Sequence, residues 1–286
     1  MSFVFESMTS KGHEEVVFCS DNNTGLKAII AIHNTTIGPA LGGCRMWSYN
    51  SEAEALQDVL RLSRGMSYKA AIAGLNLGGG KAVIIGDSKK NKNEILFRSF
   101  GRFVQGLAGR YITAEDVGTS VKDMEWVRME TEYVTGLSRA LGGGGDPGPV
   151  TALGTFSGIR ATVKKHLNRD SLAGLKVAVQ GVGHVGYHLT KHLTEAGAEV
   201  LVSDLDEKAL KLVANDFGVK VIEVDQIYDA EVDIYSPCAM GSTLNDQTII
   251  DMESCEYNGN MPDMGYFEYS SIVYGDVNID SIINVI

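Results

Sequence analysis

Two spacings of apolar residues organise the first half of the chain. Behind a capping box formed by Ser51 and Glu54, apolar residues recur at helical spacing as far as Gly65. Dense aliphatic runs such as residues 26–33 are typical of buried strands. The pattern predicts strands at residues 15–19, 26–33, 82–85 and 110–113, and helices at 51–65, 94–106 and from 120 onward.

The second half of the chain predicts a different order of secondary-structure elements. A Gly/Pro-rich segment at residues 141–149 precedes a predicted helix at 151–167 and indicates a domain junction. Strands at 176–180, 199–203, 220–223 and 232–235 then alternate with helices at 187–195 and 207–216. This alternation predicts a parallel sheet with right-handed crossovers. We therefore expect an α/β protein with two domains, residues 1–145 and 146–286.

Composition narrows the class of protein. The 286 residues are 44% hydrophobic and 21% charged, with a net charge of −11. That charge argues against nucleic-acid or anionic-membrane partners, because both require a basic surface. The N-terminus does not resemble a signal peptide, and no apolar run is long enough to span a bilayer. The four cysteines are scattered and have no metal-like spacing with histidine, so we expect a cytoplasmic protein with reduced thiols and no metal site.

A glycine motif in the second half predicts a dinucleotide site. Gly181-Val182-Gly183-His184-Val185-Gly186 follows an apolar strand and opens a helix, and Asp204 follows 18 residues later. Gly181 would make the turn, Gly183 would admit the pyrophosphate, and Gly186 would let helix and strand pack closely. Asp204 would accept hydrogen bonds from ribose hydroxyls and repel a 2′-phosphate, which favours NAD over NADP. A glycine turn without a ligand is the alternative.

Two lysines and an aspartate in the first half are candidates for catalytic or substrate-binding residues. Lys69 and Lys81 stand among small or apolar residues, and Gly78-Gly79-Gly80 precedes Lys81. We expect this run to let the backbone approach a small substrate beside an amine that serves as a base. It does not match a phosphate-binding loop, because Leu75 and Ala82 occupy two of the required positions. Asp116 follows a predicted strand end, where α/β proteins often place catalytic groups. Structural lysines and a helix-capping Asp116 remain open alternatives.

Several motifs in order resemble the Glu/Leu/Phe/Val amino-acid dehydrogenases. They are Gly38-Pro39-Ala40-Leu41-Gly42-Gly43-Cys44-Arg45, the Lys69 segment, residues 75–81, residues 111–118 and the glycine motif. The resemblance covers about residues 14–250. It implies a mixed-sheet substrate domain, a Rossmann-type NAD domain, a cleft between them and a homo-oligomer.

The resemblance also implies roles for individual residues. Lys69 would bind the substrate carboxylate near Gly42, Gly43 and Met66. Lys81 would be the general base, and Asp116 would exchange protons with the leaving ammonia and support Lys81. Thr151 would contact the cofactor. The implied reaction is reversible oxidative deamination of an amino acid to a 2-oxo acid and ammonium.

The substrate side chain is less tightly predicted. Leu41 and Ala114 suit an aliphatic side chain, which favours leucine, valine or isoleucine over a phenylalanine-type substrate. Leu41 and Ala114 could equally be ordinary residues of the hydrophobic core. After about residue 250 the resemblance fades, and the C-terminal helices of the family are not recognisable before Ile286. The family has an Ala-Asn-Asn-Gln type turn there that contacts nicotinamide and substrate. Asn258 or Asn260 could substitute for it, but the more ordinary role of an asparagine in a loop is to form a turn. A catalytically inactive NAD-binding relative is therefore the alternative function.

Overall fold

The computed structural model describes residues 4–240 and residue 243. The chain divides into two compact units, Met1–Asp146 and Pro147–Ile286, one residue beyond the predicted boundary. Within residues 4–240, no helix has the length and apolar character that crossing a membrane would require.

The first unit contains strands β1 (Glu15–Asp21), β2 (Leu26–Asn34), β3 (Ala40–Trp47), β4 (Gly78–Ile85) and β5 (Tyr111–Glu115), and helices α1 (Val4–Lys11), α2 (Glu52–Ile72), α3 (Glu94–Gly106) and α4 (Val121–Arg128). The strands form a five-stranded mixed sheet of order β1-β2-β4-β3-β5. The β1–β2 and β2–β4 pairs are antiparallel, whereas β3 runs parallel to both β4 and β5.

Two apolar clusters hold this sheet between helices. On one face, Val59 and Leu60 of α2 pack with Ile29 and Val83 of the sheet. On the other, Phe97 and Phe100 of α3 join a larger cluster with the central strands. Alternate residues of each buried strand therefore serve opposite layers, which explains the continuous apolar runs at residues 28–32 of β2 and 82–85 of β4.

The predicted helix caps are correct. The Ser51 side chain accepts a hydrogen bond from the Glu54 N–H, and the Ser120 side chain accepts one from the Asp123 N–H. Three other predictions about this unit need correction. Helix α2 continues past Gly65 to Ile72, strand β4 begins at Gly78 instead of residue 82, and β3 was not predicted as a strand. Each difference involves glycine: Gly65 within α2, Gly42 and Gly43 within β3, and the run at residues 78–80 within β4. Close packing stabilises these segments in spite of the weak local propensity of glycine for helix and strand.

The described part of the second unit has the elements α5 (Gly148–His166), β6 (Lys176–Gln180), α6 (His184–Glu195), β7 (Glu199–Ser203), α7 (Glu207–Phe217), β8 (Lys220–Val221) and β9 (Ile234–Pro237). Within residues 147–240 the strands form a four-stranded sheet of order β8-β7-β6-β9. The pairings among these four strands are parallel, as the strand–helix alternation predicted. Helix α6 begins at His184, directly after the glycine turn and three residues before the predicted start.

Candidate active site

Lys81 is a buried lysine in the middle of a sheet. It lies opposite Ala31 of β2, and only 4% of its side chain is exposed. Two residues earlier, a Cβ on Gly79 would point at Ser67 of α2, so Lys81 also faces the α2 side of the sheet. A lysine this deeply buried requires a charge partner.

Asp116 provides that partner from the turn after β5. Its N–H donates to Thr119 Oγ1 at 2.8 Å, and the Thr119 hydroxyl donates to the Cys44 carbonyl at 2.9 Å. The next peptide is also tied to β3, because the Met46 N–H donates to the Val117 carbonyl at 3.0 Å. Gly118 has φ +80°, and a Cβ there would lie 2.0 Å from the Met46 carbonyl oxygen. The turn is therefore fixed against β3 by backbone contacts.

Two cations meet at one oxygen of Asp116. Lys81 Nζ lies 3.1 Å from Oδ2, and Arg45 Nε lies 3.2 Å from the same atom. Burial would raise the pKa of Asp116, but the charges of Lys81 and Arg45 outweigh it and hold the pKa at about 2. Asp116 is thus a carboxylate at neutral pH.

Several predicted substrate-binding residues lie beside this pair. The register of β3 and β5 places Leu41 opposite Ile112, Gly42 opposite Thr113, and Gly43 opposite Ala114. A Cβ on Gly43 would lie 2.8 Å from the Asp116 Cβ. A Cβ on Gly42 would lie 3.3 Å from Met66 Cγ, which brings α2 to the same region. Lys69 is half-buried on α2, three residues after Met66 and hence on a neighbouring part of that helix face.

The glycine run before Lys81 serves internal packing. A Cβ on Gly78 would lie 2.0 Å from the Asn34 carbonyl oxygen, and one on Gly79 would lie 2.2 Å from Ser67 Oγ. A Cβ on Gly80 would lie 2.7 Å from the ring of Tyr111. The expectation that this run makes room for a substrate therefore needs correction, since neighbouring strands and α2 occupy that space.

The glycine motif of the second unit has the geometry its spacing predicts. Gly181 has φ +94°, and a Cβ on Gly186 would lie 1.9 Å from the Gly181 carbonyl oxygen. Gly183 is exposed at the start of α6, and a Cβ there would meet nothing within 4 Å. Gly186 thus serves the packing of turn and helix, whereas Gly183 leaves the helix N-terminus open.

Asp204 holds this turn by hydrogen bonds to the backbone. The Val182 N–H donates to Asp204 Oδ2 at 2.7 Å, and the Asp206 N–H donates to Oδ1 at 2.8 Å. Val182 is buried, whereas His184 is exposed and Val185 half-buried in the first turn of α6. Thr151 is half-buried in the first turn of α5 in the same unit. Among the residues that the structure describes, no group of three His, Cys, Asp or Glu side chains could hold a metal ion.

Comparisons with family models and with known proteins point to the same family. A sequence model described as the Glu/Leu/Phe/Val dehydrogenase dimerisation domain matches residues 13–133, and a second, described as Glutamate/Leucine/Phenylalanine/Valine dehydrogenase, matches residues 142–208. Leucine dehydrogenase of Geobacillus stearothermophilus is 57% identical over 246 residues, which cover 86% of this chain and 67% of the relative. The chain belongs to the Glu/Leu/Phe/Val dehydrogenase family.

Two further comparisons extend the family likeness. Leucine dehydrogenase of Bacillus subtilis is 56% identical over 246 residues, covering 86% of this chain and 68% of the relative. The crystal structure of L-tryptophan dehydrogenase from Nostoc punctiforme superposes with a TM-score of 0.64 at 45% identity. That superposition covers 87% of this chain and 71% of the other. The α/β fold with a mixed sheet is therefore that of an amino-acid dehydrogenase.

Sequence reasoning missed three residues around the buried pair of this dehydrogenase. Arg45 ends the motif at residues 38–45, but the motif assigns it no role, and no pattern in the sequence points to Asp58 or Tyr49. Arg45 Nη1 lies 2.9 Å from Asp58 Oδ2, and the Tyr49 hydroxyl donates to the same oxygen at 2.7 Å. One signal was available, since Arg45 is a lone charge between Cys44 and Met46 in an otherwise uncharged run.

Proposed function

We propose that this chain catalyses the reversible NAD-dependent oxidative deamination of a branched-chain L-amino acid. The products are the 2-oxo acid, ammonium and reduced cofactor. The observation that carries the proposal is the buried ion pair between Lys81 Nζ and Asp116 Oδ2 at 3.1 Å. Both residues stand in motifs of a family to which the chain belongs, with a leucine dehydrogenase at 57% identity.

The glycine turn of the second unit fits NAD. Its open position at Gly183, the exposed N-terminus of α6 and the adjacent Asp204 form a cradle suited to a pyrophosphate and a ribose. We assign this unit as the Rossmann-type domain, with Gly181, Gly183, Gly186, Val182, His184, Val185 and Asp204 around the dinucleotide and Thr151 beside its reactive end. When bound, NAD accepts the hydride that leaves the substrate Cα.

In the first unit, we assign the ammonium of Lys69 to the substrate carboxylate, with Gly42, Gly43 and Met66 beside it. The Lys81 ammonium first passes a proton to Asp116 Oδ2. The neutral amine at Nζ then acts as the general base and takes a proton from the water that attacks the substrate imine. Asp116 Oδ2 exchanges a proton with Lys81 along their 3.1 Å contact and with the departing ammonia. Burial of the pair keeps bulk water from competing for these protons.

A branched aliphatic substrate is favoured over an aromatic one. Leu41 and Ala114 are apolar residues on adjacent strands next to Gly42 and Gly43, where the substrate side chain would lie. The 56–57% identity to leucine dehydrogenases, against 49–50% to phenylalanine dehydrogenases and 48% to an L-tryptophan dehydrogenase, supports the same choice. Phenylalanine is the alternative substrate, since an apolar pocket discriminates by only a few kcal/mol.

An inactive NAD-binding relative is the second candidate. The relatives match 246 residues, and the divergent segment after about residue 250, with Asn258 and Asn260, lies outside the described residues. Retention of Lys69, Lys81 and Asp116 favours the active enzyme. The homo-oligomer remains a proposal, supported by the family description of residues 13–133 as a dimerisation domain and testable by light scattering. A cytoplasmic location stays a prediction.

An absorbance assay for NADH with leucine, valine, isoleucine and phenylalanine tests the proposal. We expect turnover with the branched substrates, and loss of about 10³-fold or more of kcat in Lys81→Ala while NAD still raises the melting temperature. Lys69→Ala should mainly raise the substrate KM. Unchanged turnover in Lys81→Ala would refute the mechanism. Absence of NADH formation in the parent protein, with NAD binding intact, would favour the inactive relative.

A further inference from the structure

The carboxylate of Asp116 has a second cation that the proposed proton exchange does not use. Arg45 Nε lies 3.2 Å from Oδ2, almost as close as Lys81 Nζ at 3.1 Å. Arg45 stands on β3 two residues after Gly43, and 12% of its side chain is exposed. A guanidinium at this depth is a fixed part of the protein interior, because it remains charged at every working pH.

Asp58 of α2 holds Arg45 from the other side. Arg45 Nη1 lies 2.9 Å from Asp58 Oδ2, which also accepts the Tyr49 hydroxyl at 2.7 Å. Arg61 Nη2 lies 2.8 Å from Asp58 Oδ1. Burial would raise the pKa of Asp58, but Arg45 and the hydrogen bond from Tyr49 lower it below the ordinary value. Asp58 is therefore an ionised anchor with both oxygens occupied.

The shape of arginine matters for this bridge. Arg45 uses Nε for one carboxylate and Nη1 for another, so the planar fork spans two acids from separate elements. The ammonium of lysine is a single flexible point charge and does not fix two carboxylates in one plane. The bridge from Asp58 through Arg45 to Asp116 therefore has a fixed orientation, because one planar guanidinium contacts both carboxylates.

We propose that Arg45 is a positioning residue for the reaction: it holds the Asp116 carboxylate so that Oδ2 faces Lys81, and Asp58 holds Arg45. This inference rests on the proposed function. Arg45 acts through Asp116, so its loss should impair proton exchange more than substrate binding.

The charged surroundings of Asp116 define what a substitution at Arg45 changes. Lys81 faces it from β4, Arg45 from β3, and the Val117 N–H from its own turn. Cys44, Tyr49 and Tyr111 also lie close enough to interact with it, and burial raises the pKa of all three, so they are neutral. Of the two cations at Asp116 Oδ2, Lys81 remains when Arg45 is replaced.

The first test compares kcat with KM. We expect Arg45→Gln to lower kcat with leucine about 100-fold with a change in KM of less than about threefold, because slight misplacement of a catalytic group costs this much. Arg45→Lys should recover part of the loss, since it retains the charge. Arg98→Gln is the matched control: Arg98 also bridges two carboxylates, Glu94 at 3.2 Å and Glu130 at 2.7 Å, and should leave kcat unchanged. Wild-type kcat in Arg45→Gln would overturn the inference.

A double-mutant cycle separates positioning from a general loss of structure. In the Asp116→Asn background, Arg45→Gln should change the rate of NADH formation by less than about threefold, because the group it positions is already altered. Single-turnover measurements at excess enzyme extend the range to slow variants. An equal loss in both backgrounds would show that Arg45 acts independently of Asp116 and would contradict the proposal.

Carboxyl NMR of the labelled Asp116 side chain gives a readout that needs no turnover. Because Arg45 lowers the pKa of Asp116, Arg45→Gln should raise it by about one unit or more, so that titration begins at higher pH. Arg45→Lys serves here if Arg45→Gln does not fold, with a smaller rise. An unchanged Asp116 titration would refute the inference. If the parent protein forms no NADH, the proposed function fails while this measurement still decides the role of Arg45.

Discussion

The two proposed sites are built by opposite means. In the first unit, side-chain charges from α2, β3, β4 and the turn after β5 meet around Asp116. In the second unit, the proposed dinucleotide site is mostly backbone: a glycine turn and the open N-terminus of α6, with the Asp204 carboxylate accepting two backbone N–H groups. The first arrangement suits moving protons, and the second suits holding a phosphate-containing molecule.

Glycine shows the same contrast. In the first unit, Gly78, Gly79 and Gly80 are each enclosed by protein atoms. In the second, Gly186 is enclosed but Gly183 is open. A glycine in a sequence motif can therefore serve either internal packing or room for a ligand, and the surrounding atoms distinguish the two.

Gly79→Ala should have the largest effect on this comparison. The new Cβ would lie 2.2 Å from Ser67 Oγ, 2.3 Å from the Ser67 N and 2.4 Å from the Ser63 carbonyl oxygen. Because two of these atoms belong to the α2 backbone, we expect a loss of about 3 kcal/mol or more in the free energy of unfolding, measured with urea.

Gly106→Ala is the control for that experiment. A Cβ on Gly106, at the end of α3, would meet nothing within 4 Å. Alanine should be neutral or stabilising there by up to about 1 kcal/mol. If Gly79→Ala were equally harmless, the glycine run would not be a packing requirement, and the substrate-approach explanation would return.

The pair Gly183→Ala and Gly186→Ala should separate ligand space from packing space in the second unit. Gly186→Ala forces a contact of 1.9 Å with the Gly181 carbonyl oxygen, so both stability and NAD affinity should fall, the latter about 100-fold. Gly183→Ala should leave stability within about 1 kcal/mol and weaken NAD binding about tenfold. Calorimetric titration measures the NAD affinity of both variants. Equal affinities for Gly183→Ala and the parent would contradict the assigned cradle.

Sequence reasoning succeeded where the relevant residues are close in the chain. The glycine motif and Asp204 lie within one strand–turn–helix–strand unit, so a fixed spacing implies a fixed geometry. Caps at Ser51 and Ser120 were predictable for the same reason. Local patterns indicated Lys81 and Asp116 only singly, and the family resemblance alone associated them. Their 3.1 Å contact depends on β4 and β5 lying on either side of β3.

The misses share one physical cause. Strand β3 contains Gly42 and Gly43, whose local propensity for strands is poor, and it exists because β4 and β5 pair with both of its edges. The pairing of Arg45 with Asp58 joins a strand to a helix that begins after a turn, which no spacing rule encodes. Long-range pairing thus decided both the fold and the charged site, and local patterns could not reveal it.

Acid should affect the buried pair of the first unit more than an exposed pair of the second. The pKa of Asp116 is about 2 in the folded protein, below its ordinary value of 3.8, so the carboxylate contributes stability above about pH 4 that is lost as pH falls toward 2. The shift corresponds to about 2 kcal/mol at neutral pH. Urea denaturation should therefore show a stability difference between the parent and Asp116→Asn that shrinks from pH 6 to about pH 3. Asp170→Asn is the control, because Asp170 pairs with Lys164 at 2.9 Å with both side chains largely exposed, and its effect on stability should be small. A difference for Asp116→Asn that stays constant over this range would mean that its ion pairs do not lower its pKa, and the contrast between the two sites would lose its electrostatic basis.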